Sequence, residues 1–216
     1  MTDPGIRNGT ERAAAVLASL GASPGDVAGA TPGVVASAMP DFVVNLQGDA
    51  VLTPPWVIAA MIEAARDPAI RMVTPATRMR PEALARLVAA KAAGEVGGTT
   101  VVRNQAGDAL YFSKSIIPYR RAADDVPVLR HIGLYGYRPE VLSALVALPM
   151  GPLERAESLE QLRALEHGIP IRVVEVDYRG RTHWGVDTRG DLERCEALIG
   201  EEGELLSAWD GTGVAA

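Results

Sequence analysis

Residues Phe42 to Asp49 read Phe-Val-Val-Asn-Leu-Gln-Gly-Asp, an apolar, β-branched run that stops abruptly at a carboxylate. Such runs are buried strands, and in open α/β sheets ligands gather outside the carboxyl ends of the strands. Far downstream, Trp184-Gly185-Val186-Asp187-Thr188 delivers a second acid, Asp187. Two strand-end carboxylates suit Mg2+, which takes one or two carboxylates and completes its shell with water and substrate phosphates. Each segment also has a plainer reading. Gly48-Asp49 is equally a turn after a strand, and Thr188, with Asp191 three positions on, is equally a helix cap. The cap accounts for Thr188 and leaves Asp187 unused.

Outward from that strand, helical and extended patterns alternate. The pattern from Gly9 through Leu20 reads as a helix ended by Gly21, Ala22 to Gly33 as a loop, and Phe42 to Leu46 as a strand. A helix at Trp56 to Arg66 and a strand at Ile70 to Thr77 follow, then a helix from Pro81 to Ala93 that Gly94 closes. Thr99 to Arg103 and Ala109 to Ser113 flank Asn104-Gln105-Ala106-Gly107-Asp108, a hairpin pattern. Arg130 to Tyr137 reads as a strand, Pro139 to Leu148 and Pro152 to His167 as helices, Ile171 to Val176 as a strand and Arg189 to Ile199 as the last helix. This alternation predicts an α/β, Rossmann-like fold: a mostly parallel sheet with helices on both faces and one antiparallel hairpin excursion. Residues 1–206 read as a single domain and 207–216 as a frayed tail.

At 216 residues and 48% hydrophobic, the chain is long enough to bury one α/β core. A net charge of −6 and a pI near 5.2 argue against a nucleic-acid groove or an anionic membrane surface as partner. Lys91 and Lys114 are the only lysines, so positive charge is nearly all arginine, whose planar fork suits carboxylate and phosphate. The lone Cys195 lies in a helical pattern, which excludes a disulfide framework and points to packing. No apolar run has the length of a membrane span and the start lacks the order of a signal peptide, so a cytoplasmic protein is expected.

Two further segments carry candidate chemistry. In Arg130-His131-Ile132-Gly133-Leu134-Tyr135-Gly136-Tyr137, alternation sets Ile132 and Leu134 on one face and His131, Gly133, Tyr135 and Tyr137 on the other. The first face reads as core; the second reads as a site wall or as the wet side of a half-buried strand. In the helix from Leu153 to Leu165, an apolar stripe runs through Leu153, Ala156, Leu159, Leu162 and Leu165, with Glu160 and Arg163 one turn apart beside it.

The order of these motifs is informative. Gly9-Thr10-Glu11-Arg12 comes first, then Asn45-Leu46-Gln47-Gly48-Asp49 and Asp108 through Lys114 with Ile117-Pro118-Tyr119. Leu129 through Tyr135, Pro152-Leu153-Glu154 with Leu159 through Arg163, and Gly185-Val186-Asp187-Thr188 complete the series. Together they resemble the 3-deoxy-manno-octulosonate cytidylyltransferases, over nearly the whole chain to about Ile199. The resemblance implies a nucleotidyltransferase that moves CMP from CTP to a 3-deoxy-octulosonate-type sugar acid, releasing pyrophosphate, for lipopolysaccharide or capsule synthesis. It implies that Asp49 and Asp187 hold Mg2+. Gln47, His131, Tyr135, Glu160 and Arg163 would line the sugar pocket, with Arg163 facing the carboxylate, and Gly9, Thr10 and Arg12 would face the nucleotide. A homodimer with the hairpin near its interface is implied as well.

Departures from the family pattern bear on that expectation. The family opens with a strand and a Gly/Arg/Lys loop that cradles the triphosphate, and this chain starts roughly 70 residues past that point. Ala50 replaces an acid, Lys114 an arginine, and Gly98-Thr99-Thr100-Val101-Val102 an Asn/Pro/Lys approach to the hairpin. A modified sugar acid is therefore open as substrate. So is a non-catalytic sugar-binding or assembly subunit, whose mark would be sugar binding without turnover.

Overall fold

The Phe42–Asp49 run forms β1 (Val43–Asn45) and its exit turn, in a computed structural model that describes residues 9–20, 40–121, 126–186 and 188–205. The expected loop at Ala22 to Gly33 and the tail at 207–216 lie outside the described residues. β1 pairs with β6 (Tyr135–Tyr137), and β6 lies against β2 (Met72–Arg78). The strand expected from Arg130 to Tyr137 is two, β5 (Leu129–His131) and β6, parted at Ile132-Gly133-Leu134, where Leu134 N–H donates to Ile132 O at 2.7 Å. β3 (Thr100–Arg103) pairs with β5 and with β4 (Ala109–Ser113), the expected hairpin, while β7 (Arg172–Glu175) joins β2.

The expected mostly parallel sheet is corrected. The seven-stranded sheet is mainly antiparallel, and among the described residues only β2 and β7 pair in parallel. The strand–helix units do run β1, β2 and β7 in one direction, since β1 and β2 are each antiparallel to β6. The returning segment takes the hydrogen bonds that parallel neighbours would share: β6 inserts between β1 and β2, and β5 between β2 and β3. Alternation in sequence reports strand direction; it does not report adjacency.

Both faces of the sheet are covered. α1 (Gly9–Leu20), α4 (Pro139–Ala147) and α6 (Gln161–Glu166) cover Met72, Phe112 and Tyr137, while α2 (Pro55–Ala64) sets Trp56, Val57 and Met61 against Val73, Ile132 and Leu134. Each such side chain contributes about 1.5–3 kcal/mol on burial. Both faces of the β5–β6 segment carry core side chains, while Gly133 between the strands is exposed: Tyr135 and Tyr137 join one cluster, Ile132 and Leu134 the other. Gly136 is required here, because a Cβ would meet the Phe42 ring and come within 2.9 Å of Val73 Cγ1.

The single helix expected from Pro152 to His167 is also corrected. It is α5 (Pro152–Glu157) and α6, separated by Ser158 in the left-handed region at φ 52° and ψ 46°. The Glu166 carboxylate turns back to accept from Leu153 N–H at 3.0 Å and Glu154 N–H at 3.3 Å, supplying acceptors that the first turn of α5 lacks. Leu153 is 40% exposed, so the predicted stripe does not lie on one face. α3 (Pro81–Ala92) and α7 (Arg189–Glu202) complete the described helices. Thr188 caps α7 as predicted: Asp191 N–H donates to its hydroxyl at 3.2 Å, and Thr188 N–H donates to Asp191 Oδ2 at 2.8 Å. Cys195 packs with Leu52 and Leu198, and no described helix is long and apolar enough to cross a membrane.

Candidate active site

The two acidic segments meet, but only the first follows a strand: residues 181–186 form neither helix nor strand, and β1 is half-buried where a buried strand was expected. After β1, Ala50 N–H closes a turn on Gln47 O at 3.1 Å, and the Asp49 carbonyl accepts from Val186 N–H at 3.0 Å. Asp187, the next residue, lies outside the described residues. No hydrogen bond or ion pair among the described residues engages the half-buried Asp49 carboxylate. Nor do the described residues hold any group of three or more His, Cys, Asp or Glu that could bind a metal. A hard cation at Asp49 would therefore draw on one or two carboxylates plus substrate oxygens, a donor set that fits Mg2+.

α1 roofs this edge over a cavity of 710 Å³ whose walls include Gly9, Arg12, Asn45, Gln47 and Asp49. A Cβ on Gly9 would stand 3.0 Å from Asn45 Nδ2 and 3.6 Å from Gln47 Nε2, so the glycine lets α1 approach the strand end closely. Thr10 points the other way. It is buried, donates to Glu160 Oε2 at 3.0 Å and lies 3.4 Å from the Tyr137 hydroxyl.

Glu160 and Arg163 share a second cavity, of 580 Å³, with Glu11 and Glu154. They do not pair with each other there. The Arg163 fork is taken by Glu154, with Nε–Oε2 at 2.7 Å and Nη2–Oε1 at 2.6 Å. Burial raises the Glu160 pKa, with the Thr10 hydrogen bond and Arg163 opposing. Among the described residues its Oε1 has no hydrogen-bond partner, nor have the buried Tyr135 hydroxyl and Gln161 Nε2. These unfilled donors and acceptors suit a polyhydroxylated ligand. Gln161 and the pairing role of Glu154 were not legible from periodicity, because the break at Ser158 resets the helical phase.

His131 is held edge-on to Phe112, with ring centroids 5.0 Å apart, and lies 5.5 Å from the Tyr135 ring. Thr74 Oγ1 donates to Leu134 O at 2.7 Å and so accepts, at 2.9 Å, from His131 Nε2, which carries the ring proton. Burial, reinforced by His183, holds the His131 pKa down to about 3, so the imidazole is neutral and acts as a placed donor. Burial raises the Tyr135 pKa, and Tyr137 and Glu160 add to the rise. The structure thus sets Gly9, Arg12, Gln47 and Asp49 around one cavity and Glu160 and Arg163 around another. Thr10 connects α1 to Glu160, and His131 and Tyr135 form a buried wall.

Similarity to known proteins agrees with this layout. The family model described as cytidylyltransferase matches residues 1–173. The chain is 52% identical over 208 residues to a 3-deoxy-manno-octulosonate cytidylyltransferase of Maricaulis maris, covering 95% of this chain and 74% of the relative. The protein of that name from Myxococcus xanthus is 40% identical over 206 residues, covering 94% and 71%, and one from Anaeromyxobacter dehalogenans is 46% identical over 159 residues, covering 72% and 59%. A solved structure of CMP:2-keto-3-deoxy-manno-octonic acid synthetase complexed with CTP is similar at a TM-score of 0.73 and 34% identity, covering 94% of this chain and 72% of its own. Fold and site together define an α/β domain of cytidylyltransferase type. Within that class, the chain belongs to the 3-deoxy-manno-octulosonate cytidylyltransferase family.

Proposed function

We propose that the protein transfers CMP from CTP to a 3-deoxy-octulosonate-type sugar acid, for lipopolysaccharide or capsule synthesis. The anomeric hydroxyl attacks the α-phosphorus, the bond to the bridging oxygen breaks, and pyrophosphate leaves with the electron pair. Little covalent assistance is needed, so positioning and charge neutralisation carry the rate. The observation that carries the reading is the Val186–Asp49 hydrogen bond, which draws the Gly185-Val186 segment to the end of β1 beside the cavity under α1.

Asp49 and Asp187 would hold Mg2+, which when bound supplies positive charge against the phosphate oxygens. Gly9 and Arg12 would face the nucleotide from the cavity wall, Thr10 would act through its hydrogen bond to Glu160, and Gln47 would line the sugar pocket. His131, its Nε2–H held by Thr74, lines the sugar side with the Tyr135 hydroxyl and Glu160, while Glu154 holds Arg163 rigid. Leu110 of β4, 61% exposed beside the hairpin turn, supports the homodimer carried over from the family, and the protein would act in the cytoplasm. The test is pyrophosphate release from CTP, Mg2+ and 3-deoxy-manno-octulosonate. No release with that sugar or any related 2-keto-3-deoxy acid would overturn the proposal.

A further inference from the structure

Three polar groups that the chemistry above leaves unused come together beside the same sheet edge. Arg130 stands in β5 abreast of Thr77 and Thr100, so its side chain leaves the sheet on the face opposite His131. It is partly buried, and among the described residues no hydrogen bond or ion pair engages its guanidinium. Burial lowers its pKa, with Tyr178 opposing. Tyr178 is 5% exposed, and its hydroxyl, next to Thr53, has no hydrogen-bond partner. The His183 ring meets Tyr178 edge-on at 5.6 Å and presents a buried, unpartnered Nδ1. Burial and the Arg130 charge hold His183 down to about 4.

The segment that brings these groups in is anchored. Trp56 Nε1 donates to Asp177 O at 2.9 Å, and the Arg179 guanidinium lies over the Trp56 ring at 4.6 Å. The Thr182 hydroxyl donates to Glu202 at 2.6 Å, and Val186 reaches Asp49. A half-buried cation without an anion among the described residues, beside two buried polar atoms without partners there, is costly to leave unmatched.

We propose that Arg130, Tyr178 and His183 form an oxyanion subsite next to the reaction centre, Arg130 supplying charge and the Tyr178 hydroxyl and His183 Nδ1–H supplying donors. The occupant is a carboxylate or phosphate oxyanion. The inference rests on the transfer reaction proposed above, whose substrates bring both: the sugar acid its carboxylate and CTP its phosphates.

The test compares the unaltered chain with Tyr178→Phe and Arg130→Met, measuring calorimetric binding of 3-deoxy-manno-octulosonate and of inorganic pyrophosphate separately, together with Tm. Tyr178→Phe removes only an unpartnered hydroxyl, so Tm is expected to hold or rise while affinity for one ligand falls roughly tenfold. Weakened sugar-acid binding alone assigns the subsite to the carboxylate; weakened pyrophosphate binding alone assigns it to phosphate. Unchanged affinity for both ligands in both variants overturns the subsite and leaves an enclosed water as the partner. Binding needs no turnover, so a failed transfer reaction and a failed subsite are told apart.

Discussion

Arg163 and Glu154 form a two-pronged ion pair with both side chains no more than 8% exposed, at 2.7 and 2.6 Å. The guanidinium expected to meet the sugar carboxylate is thus already saturated on its fork by a protein carboxylate. Arg163 acts from behind, fixing α5 against α6 and the wall on which Glu160 stands. Glu154→Ala would strand a buried charge and is expected to cost about 3–5 kcal/mol of stability. Urea denaturation measures it. The double variant Glu154→Leu with Arg163→Met should recover most of the loss, and a double variant no better than Glu154→Ala would contradict this role.

Asp49 predicts the opposite combination. Among the described residues no partner engages its carboxylate, so Asp49→Asn is expected to leave stability within about 0.5 kcal/mol. Pyrophosphate release should fall by roughly 100-fold or more, the scale of losing one preorganised electrostatic contact. Near-normal turnover at saturating Mg2+ would remove Asp49 from the metal site.

The β1 run, the hairpin, the Thr188 cap and the packing of Cys195 were legible because each depends on local chemistry: a β-branched run, a turn sequence, a hydroxyl facing an N-terminal amide. The insertion of β6 between β1 and β2, and of β5 between β2 and β3, was not, because it depends on which strands meet across long separations. Ser158 carries no glycine or proline mark, so the break between α5 and α6 stayed hidden, and with it the partnership of Glu154 and Arg163. Alternation put His131 and Tyr135 on one face of their segment, but their burial depends on helices from distant parts of the chain closing over that face.

The histidines set a pH dependence. His131 and His183 have folded pKa values of about 3 and about 4, below the ordinary value of 6.5. As pH falls below 6.5 the unfolded chain takes up protons that the folded chain refuses, so the stability present above 6.5 is lost progressively toward 4 and 3. The slope is up to about 1.4 kcal/mol per pH unit for each group. His131→Gln keeps a side-chain N–H for Thr74 but does not titrate. Its stability difference between pH 7 and pH 5 should therefore be smaller than that of the unaltered chain, and an equal difference would show that His131 is charged in the folded protein.

Thr74 connects the core to the wall formed by His131 and Tyr135 and is fully buried. Its hydroxyl serves two groups at once, the Leu134 carbonyl at the break between β5 and β6 and His131 Nε2. Thr74→Val preserves shape but leaves both without partners, and should cost about 1–3 kcal/mol. Thr74→Ser keeps the hydroxyl and loses only a methyl group, about 0.8 kcal/mol. If the wall places the sugar, Thr74→Val should also raise KM for the sugar acid while KM for CTP holds, because the freed imidazole can turn within its slot between Phe112 and Tyr135. Steady-state kinetics on both variants separates the cases. Equal sugar KM in Thr74→Val and Thr74→Ser would mean that the His131 orientation does not matter to the substrate and that the Thr74 hydroxyl serves only the fold.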